Sequence, residues 1–249
     1  AKGFSYRQGL PLIGVHHLAG HLAAVGLEHS EIEWPAVGLV VSGGHTNLYL
    51  MPDQRTFKLV GQTVDDAAGE AFDKGAKMLG LPYPGGPAID RIARGGDSGS
   101  VAFPRPQLRG NPMDMSFSGL KTSLRYYLER TGYSPEKNKA DTPHLAAAYQ
   151  QAIVDVLVNR TVSAAERHGV RSVLLTGGVA ANSRLRSRMT EICRDRGWVL
   201  LIPNPGLCTD NGAMIAAAGY LKEAESKPEA LRLSPRSVVP LEGGPDSSA

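Results

Sequence analysis

An α/β fold is what this sequence predicts, on three observations: apolar runs of strand length, amphipathic stretches of helical length between them, and glycine turns closing two of the runs. Taken in order, the chain enters at Ala1-Lys2-Gly3-Phe4, in what reads as the middle of a helix and without a leading Met, which gives the expectation of an N-terminally incomplete chain. Leu10 to Val15 is a short apolar run predicted as a buried strand, and the histidines after it open a helix. Ala36 to Ser42 is a buried strand; Gly43-Gly44 turns it, and Thr46 to Met51 returns with an in-out pattern as a hairpin. Thr56 to Val60 is a third strand. Asp65 to Leu79 is a helix with acids in its first turn, an apolar side of Ala68, Ala71, Phe72 and Leu79, and Gly80 as its stop. A loop at 82–86 leads to a short helix from Ala88 to Arg94, and a Gly/Pro-rich loop runs from Gly95 to Asp114. Helices follow near Ser118 to Arg130 and Thr142 to His168, then a strand Ser172 to Thr176 and a helix Ala181 to Arg196. Trp198 to Ile202 is a last strand, and Asp210 to Glu223 an Ala-rich helix. Three strands, then helices, then strand, helix, strand and helix is the order of a ribonuclease H-like domain of the actin and Hsp70 kind.

Composition narrows the function classes. A chain of 249 residues with 42% hydrophobic and 20% charged residues is an ordinary globular protein with a sizeable core. A net charge of +3 and a pI near 8.9 permit a nucleic-acid partner without demanding one. Cys193 and Cys208 form no CxxC and suit a reducing cytoplasm. No apolar stretch approaches the roughly 20 residues of a membrane span.

The chemistry begins at Val15-His16-His17-Leu18-Ala19-Gly20-His21. On a helix, His17 and His21 share one face and form two thirds of a metal site, while His16 points away. The alternative is a chance pair among seven histidines. The zinc protease motif places a general-base Glu directly after the first His; here that position is Leu18, so proteolysis is disfavoured. Two glycine turns, Ser42-Gly43-Gly44-His45-Thr46 and Gly177-Gly178-Val179-Ala180-Ala181-Asn182, let backbone amides approach an anionic ligand, and the second opens a helix. Neither is a P-loop or a GxGxxG turn.

Seven ordered motifs together carry a resemblance: His17-Leu-Ala-Gly-His21, Val40-Val-Ser-Gly-Gly44-His-Thr, Ala-Phe-Asp73-Lys, Tyr83-Pro-Gly-Gly-Pro-Ala-Ile-Asp90, Phe117-Ser-Gly-Leu-Lys121-Thr, Thr176-Gly-Gly-Val-Ala-Ala-Asn182 and Cys208-Thr-Asp-Asn-Gly-Ala-Met214. From residue 1 to about 223 the chain resembles the bacterial tRNA adenosine threonylcarbamoyltransferase family, once labelled glycoproteases. The resemblance implies an ASKHA fold with the second lobe complete and the first largely missing. Residues 1–35 would be the remnant of the first lobe with the metal-binding helix, 36–223 the ribonuclease H-like second lobe with a helical insertion, and 224–249 a flexible tail. It implies transfer of threonylcarbamoyl from threonylcarbamoyl-AMP to the exocyclic amine of the adenosine that follows the anticodon in tRNAs reading codons that begin with A.

By the same resemblance His17, His21 and Asp210 bind one divalent ion, Fe2+ or Zn2+, although Asp210 at the start of the last helix also reads as an N-cap. Val40, Val41, Ser42, Gly43 and Gly44 would lie along the phosphate and acyl part of the adenylate, whether threonylcarbamoyl-AMP, ATP, ADP or AMP. Asp73, Gly86, Asp90 and Asn182 would hold its adenosine; Asp73 otherwise pairs with Lys77 at i,i+4. His45 either orients the donor or fills the hairpin. No residue is a covalent nucleophile. Lys121, Arg125, Arg184, Arg186 and Arg188 are either tRNA contacts or a solvated helix face. The implied partners are tRNA, a smaller ASKHA-fold subunit (TsaB-like) and a P-loop ATPase subunit (TsaE-like), all cytoplasmic. Since most of the first lobe is expected to be missing, the chain alone is expected to be inactive or to need that lobe as a separate chain. A non-catalytic scaffold of the same complex is the alternative.

Overall fold

The computed structural model describes residues 1–222, 234–236 and 241; the tail expected from 224 on otherwise lies outside the described residues. The elements are α1 (Lys2–Gln8), α2 (His17–Val25), β1 (Ala36–Val41), β2 (Thr46–Met51), β3 (Lys58–Gln62), α3 (Ala68–Met78), α4 (Gly85–Ala93), α5 (Ser118–Thr131), α6 (Thr142–His168), β4 (Ser172–Thr176), α7 (Ser183–Arg196), β5 (Val199–Leu201), α8 (Pro205–Cys208) and α9 (Gly212–Leu221). The strands form one mixed sheet in the order β3-β2-β1-β4-β5, in which β2 alone runs against the rest. The predicted α/β class is therefore observed.

The sheet is covered on both faces, and the two-residue period of β1 shows how. Val37, Leu39 and Val41 join a large core with Phe72, Tyr149, Val173 and Leu175 on one face. Ala36 and Val40 join a smaller core with Leu18, Leu22, Val25, Tyr49 and Leu174 on the other. Between them, Gly38 lets α2 approach closely: a Cβ there would lie 2.5 Å from Leu22 Cδ2. Outside α2, α9 packs against Gly20, where a Cβ would meet Ile215 Cδ1 at 3.0 Å. As parallel neighbours, β1 and β4 end on the same side of the sheet, each in a glycine turn, the place where open α/β sheets hold ligands.

Several expectations are corrected. Leu10 to Val15 is neither strand nor buried: Pro11 lacks a ladder donor, Gly14 weakens the run, and no sheet edge receives it. The histidine helix thus opens from a loop. The third strand begins at Lys58 because Thr56 belongs to a turn, its amide and hydroxyl both donating to Asp53. Helix α4 starts at Gly85, earlier than the predicted Ala88, because the Asp73 carboxylate accepts the Gly85 amide. The predicted helix from Ala181 is a 3-10 turn, Gly178–Ala181, followed by α7, since Asn182 caps the latter. The last strand is Val199–Leu201 rather than the predicted Trp198 to Ile202.

The predicted helix from Asp65 begins instead at Ala68, and Asp65 serves a distant element. Its carboxylate accepts from the amides of Phe117 and Ser118 and the hydroxyls of Ser116 and Ser118, fastening the start of α5. Burial alone would raise the carboxyl pKa; these four hydrogen bonds outweigh it and hold the group below the usual range. Its contribution to stability is therefore present above the unfolded-state value, about 4, and is lost as pH falls through the lower folded value. Asp65→Asn is expected to cost about 1 kcal/mol at neutral pH, a modest figure because the site is exposed. Urea titrations at neutral and acid pH check this: the gap between variant and parent should close on acidification, and a constant gap would count against it.

Candidate functional site

Helix α2 begins where it does because the His16 side chain caps it, Nδ1 accepting from the Leu18 amide at 3.1 Å. The i,i+4 spacing then stacks His17 above His21, with ring centroids 4.9 Å apart. His21 is fully buried and His17 is half exposed. Asp210 reaches both from the turn between α8 and α9: its Oδ1 lies 3.4 Å from His17 Nε2 and 3.2 Å from His21 Nε2. The N-cap role that competed for Asp210 is filled by Asn211, whose side chain accepts from the Met214 amide.

The three residues offer ligand atoms all within 4.8 Å of one another. Among the described residues neither ring nitrogen of His21 has a hydrogen-bond partner, although both are buried and Nε2 faces Asp210. Orphaned polar atoms of this kind each cost roughly 1–3 kcal/mol, so the arrangement fits a cation that the imidazole would ligate. Burial, then the neighbouring His17, lowers the His21 pKa, while Asp210 works against both; the net direction favours the neutral ring that a ligand must be. His45, 6.3 Å from the His17 ring, has its pKa lowered first by burial and next by His17.

The glycine turns lie backbone to backbone. Val40 and Val41 are core strand residues, so of the five predicted along the donor only Ser42, Gly43 and Gly44 leave the interior. A Cβ on Gly43 or Gly44 would meet nothing within 4 Å. The Ser42 carbonyl accepts the Gly69 amide at the start of α3, and a Cβ on Gly69 would sit 2.5 Å from that oxygen. Gly177, at φ +94, packs against Val41 from the other side. Sequence reading missed Gly69 altogether; the only available signal was a glycine in a helix's first turn.

The predicted adenosine residues form a second, linked group. Asp73 accepts from Gly85 at 2.7 Å, and no ion pair with Lys77 occurs among the described residues. Gly86 beside it is open, with nothing within 4 Å of a Cβ. Asp90 is buried and accepts both the amide and the hydroxyl of Ser183. Asn182 is also buried; its Oδ1 caps α7 on the Leu185 amide and its Nδ2 donates to Gln150. The strand that leads into the second glycine turn is tied to the histidine helix: Thr176, just before Gly177, donates to the His21 carbonyl at 3.0 Å.

Among the five candidate cations, Arg186 turns inward and donates to the carbonyls of Ala180 and Pro203. Arg184 donates to Gln151, and Arg188 pairs with Glu191. Lys121 stands 3.6 Å from Asp66, a carboxylate that also holds Lys74 at 2.9 Å. Arg125 pairs with Glu129 at 3.5 Å.

Residues 1–217 match the TsaD family, described as tRNA N6-adenosine threonylcarbamoyltransferase. Relatives carrying that same description include one from Syntrophus aciditrophicus, 50% identical over 242 residues, covering 97% of this chain and 70% of the relative. Another, from Symbiobacterium thermophilum, is 53% identical over 220 residues, 88% of this chain and 63% of the relative. A third, from Thermodesulfovibrio yellowstonii, is 47% identical over 245 residues, 97% and 72%. The chain thus spans about two thirds of the length of the curated relatives it matches. In fold it is similar to full-length HypF in a phosphate- and nucleotide-bound form, with a TM-score of 0.68 at 15% identity over 91% of this chain and 38% of that one. HypF of T. kodakarensis is comparable, at 0.67 and 16% over 93% of this chain and 39% of that one.

Proposed function

Since the chain belongs to the tRNA N6-adenosine threonylcarbamoyltransferase family, we propose that it transfers a threonylcarbamoyl group from threonylcarbamoyl-AMP to the exocyclic amine of the adenosine that follows the anticodon in tRNAs reading codons that begin with A. The observation that carries the reading to this chain's own residues is the convergence of His17, His21 and Asp210 near a glycine turn with open amides. The five-stranded sheet is assigned to the second lobe of an ASKHA fold.

The amine nitrogen attacks the carbamoyl carbon, the bond to the phosphate oxygen breaks, AMP leaves, and the amine gives up a proton. The protein's work is to orient and to stabilise charge. His17, His21 and Asp210 would hold a divalent ion, Fe2+ or Zn2+, which when bound supplies Lewis acidity toward donor oxygens. Amides of Gly43 and Gly44 donate to the phosphate and acyl oxygens, while the Ser42 amide closes the hairpin on the His45 carbonyl. Asp73, with one oxygen given to Gly85, accepts from a ribose hydroxyl with the other, and Gly86 leaves room for the base. Asp90 and Asn182 keep α4 and α7 in register around the adenosine. His45 orients the donor from beside the turn.

The proposed partners are tRNA, a smaller ASKHA-fold subunit and a P-loop ATPase, working in the cytoplasm. No helix among the described residues is long and apolar enough to cross a membrane. Exposed Phe4, Tyr6 and Leu10 support coverage of the α1 end by other polypeptide.

Supplied with tRNA, metal, partner subunits, the first lobe as a separate chain and donor labelled in the threonyl moiety, the chain is expected to place label on tRNA adenosine, and chelation to stop it. Label released to water with none in tRNA would refute the reading. Asp73→Asn keeps an acceptor for Gly85 but loses its charge. AMP affinity should then fall about three- to tenfold by calorimetry, with metal content unchanged.

A further inference from the structure

We propose that the open side of α5, together with the loop before it, is an RNA-docking surface on which Tyr126 stacks an unpaired base and Arg130 meets a phosphate. The inference rests on the transferase reading, because it asks where the polynucleotide lies once its adenosine is at the metal.

A cavity of about 700 Å³ opens between the 100–103 segment and α5. Its walls carry the rings of Tyr126 and Tyr127, the hydroxyls of Ser100, Thr122 and Ser123, the Arg130 guanidinium, and no carboxylate. These are the groups a nucleotide uses: a flat face for the base, hydroxyls for the sugar, a cation for the phosphate. Tyr126 is 58% exposed. The Arg125 guanidinium lies 5.3 Å over its ring, and that of Arg130 lies 5.8 Å over Tyr127, so each aromatic ring already has a cation beside it.

Charge points the same way. Residues 101–131 hold five basic side chains and two acidic ones, a net +3, which equals the formal charge of the whole 249-residue chain. Arg105, Lys121 and Arg125 face Asp155, Asp66 and Glu129, whereas Arg130 on the cavity wall has no ion pair among the described residues, and that uncompensated cation beside two aromatic rings favours a polyanion over an apolar protein partner.

Position completes the argument. The start of α5 is fastened to Asp65, the next residue Asp66 faces Lys121, and α3 then leads to Gly69 on the Ser42 carbonyl. The helix has 14 residues, a run of about 21 Å, so RNA laid along it leads toward the glycine turn.

The test measures binding of fluorescein-labelled tRNA by anisotropy at about 50 and about 200 mM salt, where phosphate contacts are most visible. Tyr126→Ala should weaken binding about tenfold, and Tyr126→Phe, which keeps the ring, should restore it. Arg130→Ala should weaken binding and lower the salt slope by about one. AMP affinity and metal content should not move in any of the three. Unchanged tRNA affinity in Tyr126→Ala and Arg130→Ala would overturn the surface and leave the transferase reading standing. Tyr126-dependent tRNA binding by a chain that takes up neither AMP nor metal would overturn that reading alone. No tRNA affinity in the parent chain with its partner subunits present would overturn both.

Discussion

Replacing His21 by alanine is expected to strip the chain of its metal, weakening affinity by at least about a hundredfold, and to abolish transfer. The lower bound follows because losing a hydrogen-bond partner behind a metal ligand already costs about ten- to a hundredfold, and here the ligand itself goes. His21 is the buried member of the set; the side chains left behind, His17 at 44% and Asp210 at 75% exposure, are solvated and would hold a divalent ion poorly. The metal-free fold should hardly notice. An imidazole-sized void costs stability, but the substitution also removes two buried nitrogens that lack hydrogen bonds, and the two effects are each on the order of 1–3 kcal/mol. Elemental analysis and melting with and without Zn2+ separate these quantities. The parent should gain melting temperature on metal addition and the variant should not, while His16→Ala, which removes a helix cap, should keep its metal. Stoichiometric metal in His21→Ala would sink the assignment of the centre.

Gly177→Ala is expected to cost about 3–5 kcal/mol, enough to unfold much of a marginal population. Two independent penalties add. At φ +94 the backbone is in a region that L side chains rarely adopt, a strain of about 1–3 kcal/mol. The new Cβ would also lie 2.3 Å from the Val41 carbonyl oxygen and 2.9 Å from its nitrogen, and backbone at the centre of the sheet has little room to retreat. Its neighbour is the control: Gly178 has nothing within 4 Å of a Cβ, so Gly178→Ala should stay within about 0.5 kcal/mol. Urea midpoints for the pair decide the matter, and equal shifts would show that packing against Val41 is not what the glycine serves.

What could be read from the sequence was local. The bounds of α6, predicted from Thr142 to His168, match because an apolar run with Pro143 at its start and Gly169 at its end carries both signals within itself. The histidine pair was legible for the same reason, since a spacing on one helix face needs no knowledge of the rest of the chain. Asp210 was not settled by local reading: cap and ligand were both open until Asn211 took the cap. Asp65 and Gly177 were beyond it, because their partners at Ser116 to Ser118 and Val41 lie far along the chain and no periodicity encodes such contacts. Leu10 to Val15 failed in the opposite direction. Apolar composition alone suggested burial, but a strand also needs a neighbour to exchange hydrogen bonds with, and the sheet offered none.

Leu18, the residue after the first histidine, is 4% exposed and belongs to the smaller core with Leu22 and Val25. Under the transferase reading its consequence concerns the lifetime of the reagent. A mixed anhydride of a carbamate and a phosphate is labile, and the residue after the first histidine contributes no group that could activate water beside it. A hydrocarbon side chain turned into the core leaves the donor to wait, unspent, for an amine.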